Sequence, residues 1–171
     1  MNVNIKRLHP DAVVPRYSKP GDSGVDLVAV EDVIIAPGDT ALVRTGLAFE
    51  VPEGYEMQVR PRSGVSMRTK LRVQLGTIDS GYRGEVAVIV DNIHEPDYDY
   101  ADYVWYTVDG QCLTDVGEGP SVMRTYIIRK GDRIAQAVIA PVERATFVVV
   151  AELSETERGA GGFGHTGVNG E

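Results

Sequence analysis

The residues of this chain that could do chemistry sit in short, Gly-rich turns that mix both signs of charge. Pro61-Arg62-Ser63-Gly64 offers a guanidinium, a hydroxyl and unhindered backbone N–H groups at the head of a short helix-compatible run, Ser63–Lys70. That set suits phosphate oxygens, because N–H groups and the positive end of a peptide dipole converge there. Gly76-Thr77-Ile78-Asp79-Ser80-Gly81-Tyr82-Arg83-Gly84 reads as a hairpin-like segment. In it Asp79 could take a proton from water, and Tyr82 could present a ring to a sugar or base. Gly131-Asp132-Arg133-Ile134-Ala135-Gln136 opens an apolar strand. Arg133 and Gln136 fall on opposite faces of a regular strand, so at most one is expected in any given site. Asp22-Ser23-Gly24-Val25-Asp26-Leu27 places two carboxylates at the head of another strand, where Asp26 could hold metal-bound water. Each piece also has a plainer reading: a solvated turn, an Asx-turn carboxylate, an Arg paired with a buried Asp, a turn-capping Asp.

The elements that must position these turns are short. No segment of 12 or more residues keeps a clean helical period with caps. Runs of β-branched residues bounded by Gly, Pro and Asp recur instead: Asp32–Ala36, Thr40–Val51, Tyr55–Arg60, Glu85–Ile93, Tyr103–Val108, Val122–Arg129, Asp132–Ala140 and Thr146–Leu153. Pro37-Gly38 and Pro52-Glu53-Gly54 are turns, with Pro presetting φ and Gly supplying φ > 0. The pattern predicts an all-β sandwich or barrel over residues 1–151, with about ten to twelve strands. Residues 152–171 differ: six glycines fall between Arg158 and Gly170. Composition alone reads as a disordered tail, but Arg158 and Phe163 equip it as an arm able to wrap a small anionic aromatic ligand.

At 171 residues, 43% hydrophobic and 25% charged, the chain has the composition of one ordinary soluble domain that needs no staple. One cysteine (Cys112) and three histidines (His9, His94, His165) exclude an internal disulfide and a Cys-based zinc cage. The first 15 residues hold no apolar h-region and no stretch approaches 18 apolar residues, so a cytoplasmic protein without membrane partners is expected. A net charge of −8 disfavours binding to a nucleic acid backbone. From Asp91 to Pro120 there are eight acids and no Lys or Arg; without them 17 acids balance 17 bases. The same stretch holds four of the eight tyrosines and the only tryptophan, Trp105, a composition break that suggests an insert at about 94–121.

Together and in order, five pieces resemble the five motifs of the trimeric dUTP diphosphatases (dUTPases). They are Ser23-Gly24-Val25-Asp26-Leu27, Pro61-Arg62-Ser63-Gly64, Gly76 to Glu85, Gly131 to Gln136, and Arg158 to Gly164, spanning nearly the whole chain. The resemblance implies a jelly-roll-like β-barrel and a homotrimer with three shared active sites. Each would take the Asp79 segment from one chain, Arg62 and Gln136 from a second, and the C-terminal arm from a third. It implies hydrolysis of dUTP to dUMP and pyrophosphate by water attack on the α-phosphorus, with Mg2+ as cofactor. Asp79 matches the carboxylate that orients and deprotonates the water, and Asp26 the residue that holds Mg2+ through its water shell. Tyr82 matches the ring that excludes a ribose 2′-hydroxyl, and the backbone of Gly76, Thr77, Ile78 and Asp79 would read the uracil edge. Arg62, Ser63, Gly64 and Gln136 match phosphate ligands. Arg158 matches a γ-phosphate contact and Phe163, between Gly162 and Gly164, the ring stacked on uracil. Arg133 is carried over as an orienter of site carboxylates.

The chain also departs from the family. Val73 stands where many members carry an Asn, so the base contact is expected to pass to Gln74 or to backbone alone. After the aromatic residue the arm reads Gly164-His165-Thr166-Gly167, with imidazole in place of a hydroxyl. If His165 meets the γ-phosphate, affinity acquires a pH dependence near neutrality; the alternative is a solvent-facing ring. Viral and phage members often carry additions between the third and fourth motifs, which points to a phage origin, with the host cytoplasm as location. The 94–121 insert then reads either as a face for a regulatory protein or as a cover for one barrel edge. Two other functions are weighed against hydrolysis of dUTP: dCTP deamination, which needs a Glu base at the pocket, and a regulatory module without catalysis.

Overall fold

The β-branched runs bounded by turn residues fold as strands, and burial alternates along Tyr55–Pro61 and Glu85–Asn92, as a sheet with one dry face requires. The computed structural model describes residues 1–96, 104–113 and 124–162. Its strands are β1 (Asn4–Arg7), β2 (Val25–Val28), β3 (Val33–Ile35), β4 (Thr40–Glu50), β5 (Tyr55–Pro61), β6 (Leu71–Val73), β7 (Gly76–Ile78), β8 (Glu85–Asn92), β9 (Trp105–Thr107), β10 (Cys112–Leu113), β11 (Thr125–Ile128) and β12 (Arg133–Pro141). One helix, α1 (Ser63–Arg68), interrupts them. They form three four-stranded sheets, ordered β1-β4-β8-β6, β10-β9-β11-β3 and β2-β12-β5-β7. The all-β expectation is met.

The sheets wrap one core of Leu27, Ile35, Leu47, Met57, Leu71, Ile128 and Ile134, all but sealed from solvent. Each such side chain contributes roughly 1.5–3 kcal/mol of burial. This core fixes the three places where functional turns leave the barrel: the β5–α1 junction, the β7–β8 connection and the start of β12.

Two features differ from the sequence reading. The 76–85 segment is not a hairpin, because β7 pairs with β5 in one sheet while β8 pairs with β4 and β6 in another. The Asp79 turn therefore crosses between sheets. The run Thr146–Leu153 forms no strand: the last strand, β12, ends at Pro141, and residues 142–160 are exposed. Phe147 is 93% exposed and Val149 fully so, and the run pairs with no strand among the described residues. Within residues 94–121, the described residues include the β9–β10 hairpin, whose β9 runs parallel to β11 and so extends that sheet.

Candidate active site

The turns singled out above fall into two groups. The first converges where β2, β12 and the β5–α1 junction meet, around a cavity of about 330 Å³ lined by Ser18, Asp22, Ser23, Gly24, Asp26, Arg62, Ser63, Gly64, Arg133 and Gln136. Strand β2 delivers Asp26 opposite Gln136 of β12. The Asp26 carboxylate is gripped from both sides: Arg62 Nε lies 2.8 Å from Oδ1, and Arg133 Nη1 lies 3.1 Å from Oδ2. Arg62 Nη1 also donates to the Arg133 carbonyl at 2.9 Å. One carboxylate thus fixes two guanidiniums, and their remaining N–H groups are left for a ligand. Arg62 sits at the N-cap in extended conformation, ahead of the Ser63 and Gly64 turn.

Arg133 and Gln136 line the same cavity, against the expectation that only one would. The reason is a register shift in the β12–β2 pairing between Arg133 and Ala135, which rotates the strand so that both side chains reach one side. Gln136 is held by its Nε2 donating to the Pro61 carbonyl at 3.0 Å. Gly24 is required beside it: a Cβ there would lie 2.7 Å from Gln136 Oε1. Gly24 was quoted for its motif but not for this contact, which only the fold reveals.

The second group surrounds a cavity of about 280 Å³ lined by Leu42, Thr77, Ile78, Asp79, Tyr82, Glu85, Ala87 and Ile89. The Asp79 carbonyl accepts from Tyr82 N–H at 3.0 Å, closing a turn that exposes both side chains. The Asp79 carboxylate has no hydrogen-bond or ion-pair partner among the described residues, so both oxygens are free to accept from water. The Tyr82 hydroxyl donates to the Glu85 carbonyl at 3.1 Å, which fixes the ring. Glu85, overlooked as a site residue, holds the frame: its carboxylate accepts from Gly46 N–H at 2.8 Å and from Arg44 Nη2 at 3.0 Å. Leu42 and Ile89 are direct cross-strand partners that stay exposed at the cavity wall. Outward apolar positions on β4 and β8 were the available signal for them. Gly76 lies on β7 against Val59.

The two cavities have no lining residue in common. Gln74 is not at the Asp79 cavity; its side chain donates to Asp91 instead. Arg158 donates to the Gly161 carbonyl within the arm, and neither it nor Gly162 lines either cavity. Phe163, Gly164, His165 and Thr166 lie outside the described residues.

The chain is similar to known proteins over nearly its whole length. The family model for dUTPase matches residues 11–102 and 122–167. The deoxyuridine 5'-triphosphate nucleotidohydrolase of Thermobifida fusca is 46% identical over 169 residues, covering 98% of this chain and 79% of its own. Among solved structures, the Staphylococcus bacteriophage 80alpha dUTPase with dUPNHPP superposes with a TM-score of 0.91 at 34% identity, covering 98% of this chain and 99% of that one. A mutant dUTPase from phage phi11 of S. aureus, whose structure gives the coordination of a structural Mg(II) ion, superposes at a TM-score of 0.80 and 28% identity over 89% of this chain and 98% of that one.

Proposed function

The chain belongs to the dUTPase family and is a deoxyuridine triphosphate nucleotidohydrolase; on that premise we propose that it cleaves dUTP to dUMP and pyrophosphate at a site completed only in a homotrimer. The separation of the two cavities carries this reading. A base for water and a cradle for phosphates must act on one substrate, yet within one chain Asp79 and Tyr82 line one space while Arg62 and Gln136 line another. Two copies facing each other supply both. The apolar segment with Phe147, Val148, Val149 and Leu153 exposed supplies a reason to associate, since another copy can cover it.

In this site the uracil edge lies along the β7 backbone of Gly76, Thr77 and Ile78, and the deoxyribose lies against Tyr82. A 2′-hydroxyl would meet the ring. Asp79 accepts a proton from a water aligned with the α-phosphorus; the water oxygen bonds to phosphorus as the bond to the bridging oxygen breaks, releasing pyrophosphate. Arg62, Ser63, Gly64 and Gln136 of the neighbouring copy hold the leaving phosphates, and Arg133 keeps Asp26 and Arg62 in place. The arm from Arg158 onward closes over the site and excludes water.

Mg2+ fits this donor set. Among the described residues no three acidic, His or Cys side chains form a cage. Asp26, a hard oxygen ligand anchored by two guanidiniums, suits a hydrated ion held mainly by substrate oxygens. When bound, such an ion neutralises phosphate charge. The reading places the enzyme in the cytoplasm, where deoxynucleotides are made.

The test is Asp79→Asn. The change is isosteric and Asp79 has no side-chain partner to lose, so folding and binding of a non-hydrolysable dUTP analogue should be kept. Pyrophosphate release should fall by about 10²–10⁴. Turnover within tenfold of the parent would remove Asp79 as the base.

A further inference from the structure

A third cavity, of about 510 Å³, opens between α1, the β9–β10 hairpin and the β11–β12 turn. Its roof is the insert's own turn, Thr107 to Gln111. That turn is seated firmly on α1: Gly110, at φ +82°, comes so close that a Cβ would lie 2.8 Å from the Arg68 carbonyl oxygen. The turn therefore forms one wall of a space that is open to solvent on another side.

Its charges are unequally engaged. Four guanidiniums (Arg62, Arg68, Arg129 and Arg133) and two carboxylates (Asp109 and Asp132) line it. The carboxylates serve their own turns. Asp109 accepts from the Thr107 hydroxyl and from Gln111 Nε2, and Asp132 accepts from Arg129 N–H at 2.8 Å. The Thr107 bond holds Asp109 below the usual carboxylate range, whereas burial pushes Asp132 above it. Arg62 and Arg133 are tied to Asp26. Arg68 and Arg129 attract the nearby Asp109 and Asp132 carboxylates respectively, but neither has a side-chain hydrogen bond or ion pair among the described residues, so the hydrogen-bonding capacity left is that of two guanidiniums with five N–H donors each. Arg62, Gly64 and Arg133 line this cavity and the phosphate cradle alike, so the two are neighbours.

We propose that this chamber is a second anion site, in which Arg68 and Arg129 hold a small polyphosphate of the pyrophosphate class beside the catalytic cradle. The inference rests on the cradle's assignment to the substrate triphosphate. Planar guanidiniums that pair two N–H groups with two oxygens match such a ligand better than a monovalent ion. Pyrophosphate leaving the cradle would reach the chamber past the Arg62–Arg133 wall. Hydrolysis itself needs neither Arg68 nor Arg129.

The test is calorimetric titration of inorganic pyrophosphate into the assembled enzyme already saturated with a non-hydrolysable dUTP analogue and Mg2+. The expected result is one further pyrophosphate per chain. Arg68→Ala or Arg129→Ala should weaken it about tenfold to a hundredfold, the loss of a charge-assisted bond. Analogue binding, kcat and KM for dUTP should stay at parental values, which also reports an intact fold. No pyrophosphate uptake by the saturated enzyme, or equal uptake by the Arg68→Ala/Arg129→Ala double variant, overturns the inference alone. Failure of the analogue to bind overturns the active-site reading and this one with it.

Discussion

Two inactive variants of this chain should restore activity to each other. Asp79→Asn disables the cavity of the β7–β8 connection, and Arg62→Ala disables the cradle of the β5–α1 junction, which shares no lining residue with it. Arg62→Ala removes one ion pair of 2.8 Å to Asp26 and one bond of 2.9 Å to the Arg133 carbonyl, at a partly exposed surface away from the core. Its cost to folding is about 1–2 kcal/mol. Its cost to the reaction is roughly 1.5–3 kcal/mol of phosphate binding, about tenfold to a hundredfold or more. Asp79→Asn costs about 10²–10⁴. Refold the two in equal amounts so that trimers form at random. A site is wholly intact when its Asp79 comes from an Arg62→Ala chain and its Arg62 from an Asp79→Asn neighbour. Each choice has even odds, so about one quarter of sites recover and the mixture should show about a quarter of parental activity. Pyrophosphate release at dUTP well below KM reads this directly, with each variant refolded alone as the background. Activity no higher than the mean of the two backgrounds would mean that both halves act within one chain, and the reasoning from the separated cavities would fail.

Deleting residues 158–171 should cut turnover at least tenfold while leaving the assembly intact by light scattering, because the described part of the arm lines neither catalytic cavity and follows the exposed apolar segment rather than forming it; a monomeric product would show that the arm itself holds the copies together. His94, partly buried and stacked on Tyr126 with ring centroids 5.9 Å apart, has its pKa held below the ordinary value, first by burial and then by Arg124 and Lys70. Its neutral form is the one the fold prefers, so its contribution is intact above about pH 6.5 and is lost as pH falls through the lowered value. Thermal melts from pH 7.5 to 5 should show a drop that His94→Gln reduces; parallel curves would refute the assignment.

How far the sequence carries depends on whether a feature is local. The strands of β4, β5 and β8 were legible because β-branched runs and the turn residues that bound them are properties of neighbouring positions. The individual turns were legible only as candidates: the Asp79 turn between Gly76 and Gly81 and the Arg62-Ser63-Gly64 corner each keep a plainer reading until all five pieces are taken together and in order. What was not legible is set by pairing. That Arg133 and Gln136 share a cavity follows from a register shift against β2, and such a shift depends on a strand more than a hundred residues away in the chain. That the Asp79 turn crosses between sheets follows from β7 choosing β5 and β8 choosing β4, which no local pattern encodes. The run Thr146–Leu153 shows the same limit from the other side. Its β-branched residues are strand-like in isolation, yet β structure needs an edge, and this chain leaves the run bare. Propensity names a strand, but only a partner makes one. The same logic governs the site. Residue types marked both halves of an active centre, whereas their assembly depends on surfaces that only a second copy brings within reach, so the exposed apolar run and the divided site ask for the same solution.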